Sequence, residues 1–363
     1  MIPVVREVGR RRGRYTLREP ESGHVWGVCD AVDGLFGEPR RGIYELFGWV
    51  PDGAEALGWI GSRVWLVPDD EALGPWLLQD GESHGRLSGT DSLVLTGLDD
   101  YEGPPEAYRG PVRVHDGRGR LGSCREFVRI VPSGRAPRPL VLRGLAPGAE
   151  LLAALAKGTR RALDLEQAAL EIYDDQGEPL VERLLWARVS AWRPSAPGTD
   201  LIDLELDGEL VTPVPEHARA VWERWLAGPP DTPGEWAGLG TRDRDVWLDL
   251  VRGRPGQRVR RDRPAGHAYV LDGRHITDEP GLYLALGEAV NGPGGYFGGC
   301  PAALDDCLGG AFGYTAPATL LWRDAATARE HLSRTLTADG EPYDEFAGVL
   351  KVLAEGGMRV TLA

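Results

Sequence analysis

Lysine and asparagine are almost missing from this chain of 363 residues: Lys157 and Lys351 are its only lysines, and Asn291 is its only asparagine. The bias reads as codon usage in a GC-rich genome and carries no functional weight. Cysteine is scarce as well. Cys29, Cys124, Cys300 and Cys307 form no Cys-x-x-Cys pair and suit a reducing cytoplasm, where buried thiols act as small hydrophobes. No apolar run is long enough to cross a membrane. The start, Met1-Ile2-Pro3-Val4-Val5-Arg6, has no apolar segment behind a basic opening, so no secretory signal is expected. The sequence therefore predicts a cytoplasmic protein without a membrane partner. His-Glu-x-x-His, Walker A and Gly-x-Ser-x-Gly motifs are all missing, and the seven histidines stand singly. Without a catalytic or metal-ligand constellation, no enzyme activity, cofactor or metal is expected.

Acidic side chains are what the chain has in excess. Fifty-five Asp and Glu against 41 Lys and Arg give a net charge of -14. A nucleic-acid binder needs a basic face, so this balance argues against one. It favours a basic partner, because opposite fields steer encounter; solubility is the plainer alternative.

The length predicts more than one domain. Residues 1–212 read as a β-rich region, with short apolar runs broken by Gly, Pro and Asp turns. Within it Leu93-Val94-Leu95-Thr96-Gly97-Leu98 recurs as Leu140-Val141-Leu142-Arg143-Gly144-Leu145. Each copy is followed by a strand-turn pattern, Val112 to Gly117 and then Leu170 to Asp175, with a helix-like insert near Ala149 to Ala162 in the second. This implies duplicated hairpin units; chance likeness between hairpins is the alternative. Trp26, Trp49, Trp59, Trp65 and Trp76 crowd the same region and are expected to pack in its core. Gly117-Arg118-Gly119-Arg120-Leu121-Gly122 fits a dinucleotide-loop pattern, but strand-like flanks on both sides make it a hairpin turn.

Residues 213–251 read as helical, with Ala218, Val221, Trp222 and Trp225 on one face and Trp247, Leu250 and Val251 on another. The Arg/Gly/Pro run that follows predicts a linker over 252–265. Residues 266–363 alternate strand and helix: a strand at His267 to Leu271, a helix burying Leu282, Ala285, Leu286 and Ala289, a strand at Thr319 to Trp322, a helix with Phe346, Val349, Leu350 and Leu353, and a last strand at Met358 to Leu362. Such alternation predicts a small α/β domain on a three-stranded parallel sheet.

One segment of that last region carries chemistry. In Tyr296-Phe297-Gly298-Gly299-Cys300-Pro301-Ala302-Ala303-Leu304-Asp305-Asp306-Cys307-Leu308, Pro301 is placed to begin a helix. Leu304, Cys307 and Leu308 then face inward, while Ala302, Asp305, Asp306 and Gly309 face outward. An acidic pair stands beside a Gly-rich loop with two aromatics. On spacing alone the acidic pair reads as a solvated helix face.

This segment resembles the barstar family, intracellular inhibitors of a secreted ribonuclease. The family shares its Tyr-aromatic-Gly loop, its helix ending Asp-Cys-Leu, and a strand end like Leu320-Leu321-Trp322-Arg323. The resemblance covers about 97 residues from His267 onward. It implies an inhibitor or immunity factor that plugs a basic nuclease, with a partner surface of Tyr296, Phe297, Gly298, Asp305, Asp306 and Phe312. Asp306 would mimic the scissile phosphate through charge-assisted hydrogen bonds. Gly299, Cys300 and Ala302 depart from the family's acidic and amide residues, and Lys351 or Val352 stands where it has a glutamate. A lysine there opposes a cationic pocket. An adaptor that keeps the fold for a non-nuclease partner is the alternative expectation.

Overall fold

The computed structural model describes residues 13–363 except 56, 71, 100–102, 131–138, 197–199 and 257–260. Alternating apolar residues between turns make the N-terminal region strands. These are β1 (Tyr15–Arg18), β2 (Val25–Cys29), β3 (Ala31–Asp33), β4 (Gly42–Phe47), β5 (Val50–Pro51), β6 (Gly58–Pro68), β7 (Trp76–Arg86) and β8 (Leu93–Leu98). They continue as β9 (Val112–His115), β10 (Arg120–Cys124), β11 (Glu126–Ile130), β12 (Leu140–Pro147), β13 (Asp164–Tyr173), β14 (Pro179–Pro194) and β15 (Ile202–Leu210). Helix α1 (Ala149–Lys157) interrupts them, closed by Gly158 in the left-handed conformation.

Contacts divide the described chain into two compact units, and both are discontinuous in sequence. One takes Met1–Pro39, Ala136–Pro229 and Gly253–Pro255; the other takes Arg40–Arg135, Pro230–Arg252 and Gly256–Ala363.

In the first unit, β13, β14 and β15 form a meander and β1 joins β13 to β2. Strand β12 bonds β2 and β3 along one edge and β15 along the other, which closes the sheet into a barrel. Leu17, Leu142, Leu170, Ile172, Leu185, Leu204 and Leu206 fill it. Helix α2 (Arg219–Leu226) buries Val221, Trp222 and Trp225 on one face, as the spacing predicts.

The second unit opens with a half-barrel of order β11-β4-β8-β7-β6-β9-β10-β5, packed around Tyr44, Leu46, Leu66, Leu78 and Phe127. The two Leu-Val-Leu-x-Gly-Leu segments are strands, one in each sheet: β8 is hydrogen-bonded to its sequence neighbour β7, whereas β12 pairs with β2, β3 and β15. Gly117 to Gly122 spans the turn of the β9–β10 hairpin, where Asp116 accepts from the Arg118 and Gly119 amides. Trp49 and Trp76 are core residues; Trp26, Trp59 and Trp65 are only half-buried, and the Trp59 indole N–H donates to Asp80.

Helix α3 (Thr241–Gly253) leads to the C-terminal domain. There β16 (Ala268–Asp272), β17 (Ala318–Arg323) and β20 (Met358–Leu362) form a parallel sheet in the order β16-β17-β20. Around it lie α4 (Glu279–Asn291), α5 (Pro301–Leu308), α6 (Ala325–Leu332) and α7 (Glu345–Glu355), with a small hairpin of β18 (Thr335–Leu336) and β19 (Pro342–Tyr343). Helix α4 departs from the one-faced expectation: Leu282, Tyr283, Leu284, Ala285, Leu286 and Gly287 are all buried. The reason is an added layer. Arg244 of α3 donates to Asp278 at 3.1 Å, to the Thr277 hydroxyl at 2.9 Å and to the Ala237 carbonyl at 2.6 Å, and lies over the Trp236 ring. Asp278 is also the N-cap of α4, accepting from the Gly281 amide. One carboxylate thus caps a helix and anchors its cover.

The half-barrel holds one end of this domain. The Gly117 carbonyl accepts from the Leu336 amide, Arg118 donates to the Thr277 carbonyl, and Arg63 pairs with Glu279. Both α4 contacts lie at its N-terminus, beyond the carboxyl ends of the strands. Helix α5 lies at the opposite end, where Leu308 packs on the backbone of Gly356, just before β20.

Candidate functional site

The loop before α5 and the loop after it frame the candidate surface. Pro301 begins the helix, and the Cys300 sulfur accepts from the Ala303 amide at 3.5 Å as its N-cap. Leu304, Cys307 and Leu308 are buried, which pins the helix to the core, and burial pushes the Cys307 thiol up to about 12. Asp305 and Asp306 are exposed on the outer face, as the spacing predicts. Among the described residues neither carboxylate has an ion-pair partner.

The aromatic residues of the expected surface separate into two groups. The Tyr296 and Phe312 rings lie 6.1 Å apart, both half-buried, one in each loop. The Asn291 side chain joins those loops: its amide nitrogen donates to the Tyr296 carbonyl at 2.8 Å and to the Phe312 carbonyl at 2.9 Å. Phe297 corrects the sequence reading. It is 0% exposed and meets Tyr314 edge-on at 5.9 Å, so it is a core residue with no side-chain surface for a partner. Gly298 is buried as well. Its φ of +93° favours glycine, and a Cβ there would lie 3.0 Å from the Leu304 backbone. Gly298 lets the loop touch the helix; it offers nothing outward.

Lys351 extends from α7 with its side chain 75% exposed, 3.9 Å from Glu355 one turn on. Its charge is therefore partly answered on its own helix. Over 266–363 there are 13 Asp and Glu and 6 Lys and Arg, so the domain carries 6 - 13 = -7. Sequence reasoning missed Asn291, whose rarity was visible and whose role needed the loops in space. It also missed Asp262, which lies in the stretch read as linker and accepts from the Ala311 and Gly313 amides.

Residues 266–355 match the family model described as Barstar (barnase inhibitor). The C-terminal quarter is a barstar domain. Its three-stranded parallel sheet and helices agree with that family, and the match ends short of β20 and begins after α3. No curated protein matches the chain. The barrel and half-barrel carry no family match, so the barstar domain supplies the functional information. Among the described residues no helix is long and apolar enough to cross a membrane.

Proposed function

We propose that this protein is an intracellular inhibitor or immunity factor that plugs the active site of a basic, ribonuclease-like partner through its barstar domain. The observation that carries the reading is the presentation of α5. Asp305 and Asp306 stand exposed on a helix whose other face is fixed by Leu304, Cys307 and Leu308. A ribonuclease gathers cations around its scissile phosphate. The Asp306 carboxylate would sit where that phosphate binds and form charge-assisted hydrogen bonds with them, with Asp305, Tyr296 and Phe312 filling the rim. The net -7 of the domain steers the encounter. Inhibition is steric and electrostatic, and no bond is made or broken.

The half-barrel's hold on the far end of the domain supports this reading, because it leaves α5 outward. Co-expression with a barnase-type ribonuclease tests it: the chain should relieve toxicity and suppress RNA cleavage, and Asp306→Ala should do neither. Full toxicity with the folded wild-type chain present would reject that partner class. Lys351 favours a second reading, an adaptor for a non-nuclease partner, since an exposed lysine beside the acidic helix weakens the fit to a cationic pocket. Under that reading Asp306→Ala leaves binding of the partner unchanged.

A further inference from the structure

We infer that Asp262, upstream of the matched family segment, is a positioning residue for the partner surface, acting by fixing the loop that carries Phe312. The inference rests on the reading that Tyr296, Phe312 and α5 form that surface. The loop after α5 has an unusual backbone: Gly310, Ala311 and Gly313 have φ of +106°, +67° and +87°. For Ala311 this is a left-handed conformation that L-residues rarely hold without support. Backbone folded this way turns its amide N–H groups toward one concavity, a ready seat for an anion.

The anion in that seat is the chain's own. One Asp262 carboxylate oxygen accepts from the Ala311 amide at 3.0 Å, and the other accepts from the Gly313 amide at 2.9 Å. The adjoining Arg263 amide donates to the Gly313 carbonyl at 3.3 Å. From the other side, the Tyr269 hydroxyl donates to the same carbonyl at 3.0 Å, and Asn291 holds the Phe312 carbonyl. Phe312 therefore sits between two amides tied to Asp262, with its own carbonyl tied to α4. Helix α5 cannot impose this geometry, because it ends at Leu308 and its cap, Gly309, has an ordinary right-handed conformation. Removing the carboxylate leaves two amides to water and lets Ala311 relax, so Phe312 loses its fixed place beside Tyr296.

The test is a double-mutant cycle on the full-length chain, with barnase as the probe and dissociation of the complex as the readout. Asp262→Ala should speed dissociation about tenfold, the effect of losing charge-assisted hydrogen bonds at a contact loop. Phe312→Ala should speed it at least as much. The double variant should dissociate no faster than Phe312→Ala, because Asp262 acts through that ring. Additive effects, or no effect of Asp262→Ala, overturn the inference. Amide hydrogen exchange in the free chain separates it from the nuclease reading. Asp262→Ala should raise exchange at Ala311 and Gly313 at least tenfold and leave β17 unchanged. If wild type does not bind barnase, that reading fails for this probe and exchange alone judges the brace; unchanged exchange rejects it.

Discussion

Helices α4 and α5 follow one another in the barstar domain and are buried in opposite ways. Around α4 burial is almost complete, because α3 and the segment before it cover its back through Arg244 and Trp236. On α5 only Leu304, Cys307 and Leu308 are buried, and the acidic pair stays in solvent. The difference separates two jobs. A helix clamped on every side contributes rigidity, whereas a short helix held along one stripe can offer its other stripe to a partner without unfolding anything. Substitutions on α4 and its cover should therefore cost stability, and substitutions on the outer face of α5 should cost binding.

The largest effect belongs to Arg244→Ala. It leaves the carboxylate of Asp278, a residue 1% exposed, without its counter-charge and should destabilise the second unit by about 3–5 kcal/mol in urea unfolding. Arg244→Lys should recover little, since one ammonium cannot serve Asp278, Thr277 and the Ala237 carbonyl together. A loss under about 1 kcal/mol would mean that α3 is not a working cover for α4. The two aromatic positions sharpen the same contrast. Phe297→Ala opens a cavity in the core and should cost about 3–5 kcal/mol. Phe312→Ala, at a half-buried loop position, should cost less than Phe297→Ala while weakening the complex.

A smaller, pH-dependent effect is expected at Glu288 on α4. Its carboxylate accepts from the Gly234 amide at 2.9 Å, and burial, opposed by that bond, lifts it from 4.5 to about 7. The folded chain therefore holds a proton that the unfolded chain releases between those values. The stabilisation is complete below about pH 4.5 and is lost as pH rises to about 7. Glu288→Gln should flatten the fall in melting temperature between pH 5 and 7, leaving other titrations in place. An unchanged slope would place Glu288 in solvent.

Much of the C-terminal domain was legible because its apolar spacing is local: strands and helices each bury a stripe that the sequence displays. The outward set Ala302, Asp305, Asp306 and Gly309 follows from the same spacing. Phe297 was misread because a loop has no period, so nothing in the sequence separates the buried aromatic from the half-buried Tyr296 beside it. The cover on α4 was hidden for a different reason. Arg244 reads as a surface arginine of an amphipathic helix until Asp278, 34 positions away, is beside it. Asp262 and Asn291 were hidden in the same manner, as their partners are backbone groups of distant loops. In the N-terminal region strand alternation was readable, but it does not encode which edges pair, so the barrel and half-barrel had no signature.

The phosphate-mimic role requires Asp306 to be a binding residue on a helix that folds without it. The most direct measurement is the dissociation rate of Asp306→Ala from a barnase-type ribonuclease, taken with urea unfolding of the same variant. Asp306→Ala should unfold within about 0.5 kcal/mol of wild type. Its complex should dissociate faster by at least about a hundredfold, because the partner's buried cations lose their counter-charge. Wild-type dissociation from a complex that inhibits the nuclease would rule out Asp306 as the phosphate mimic.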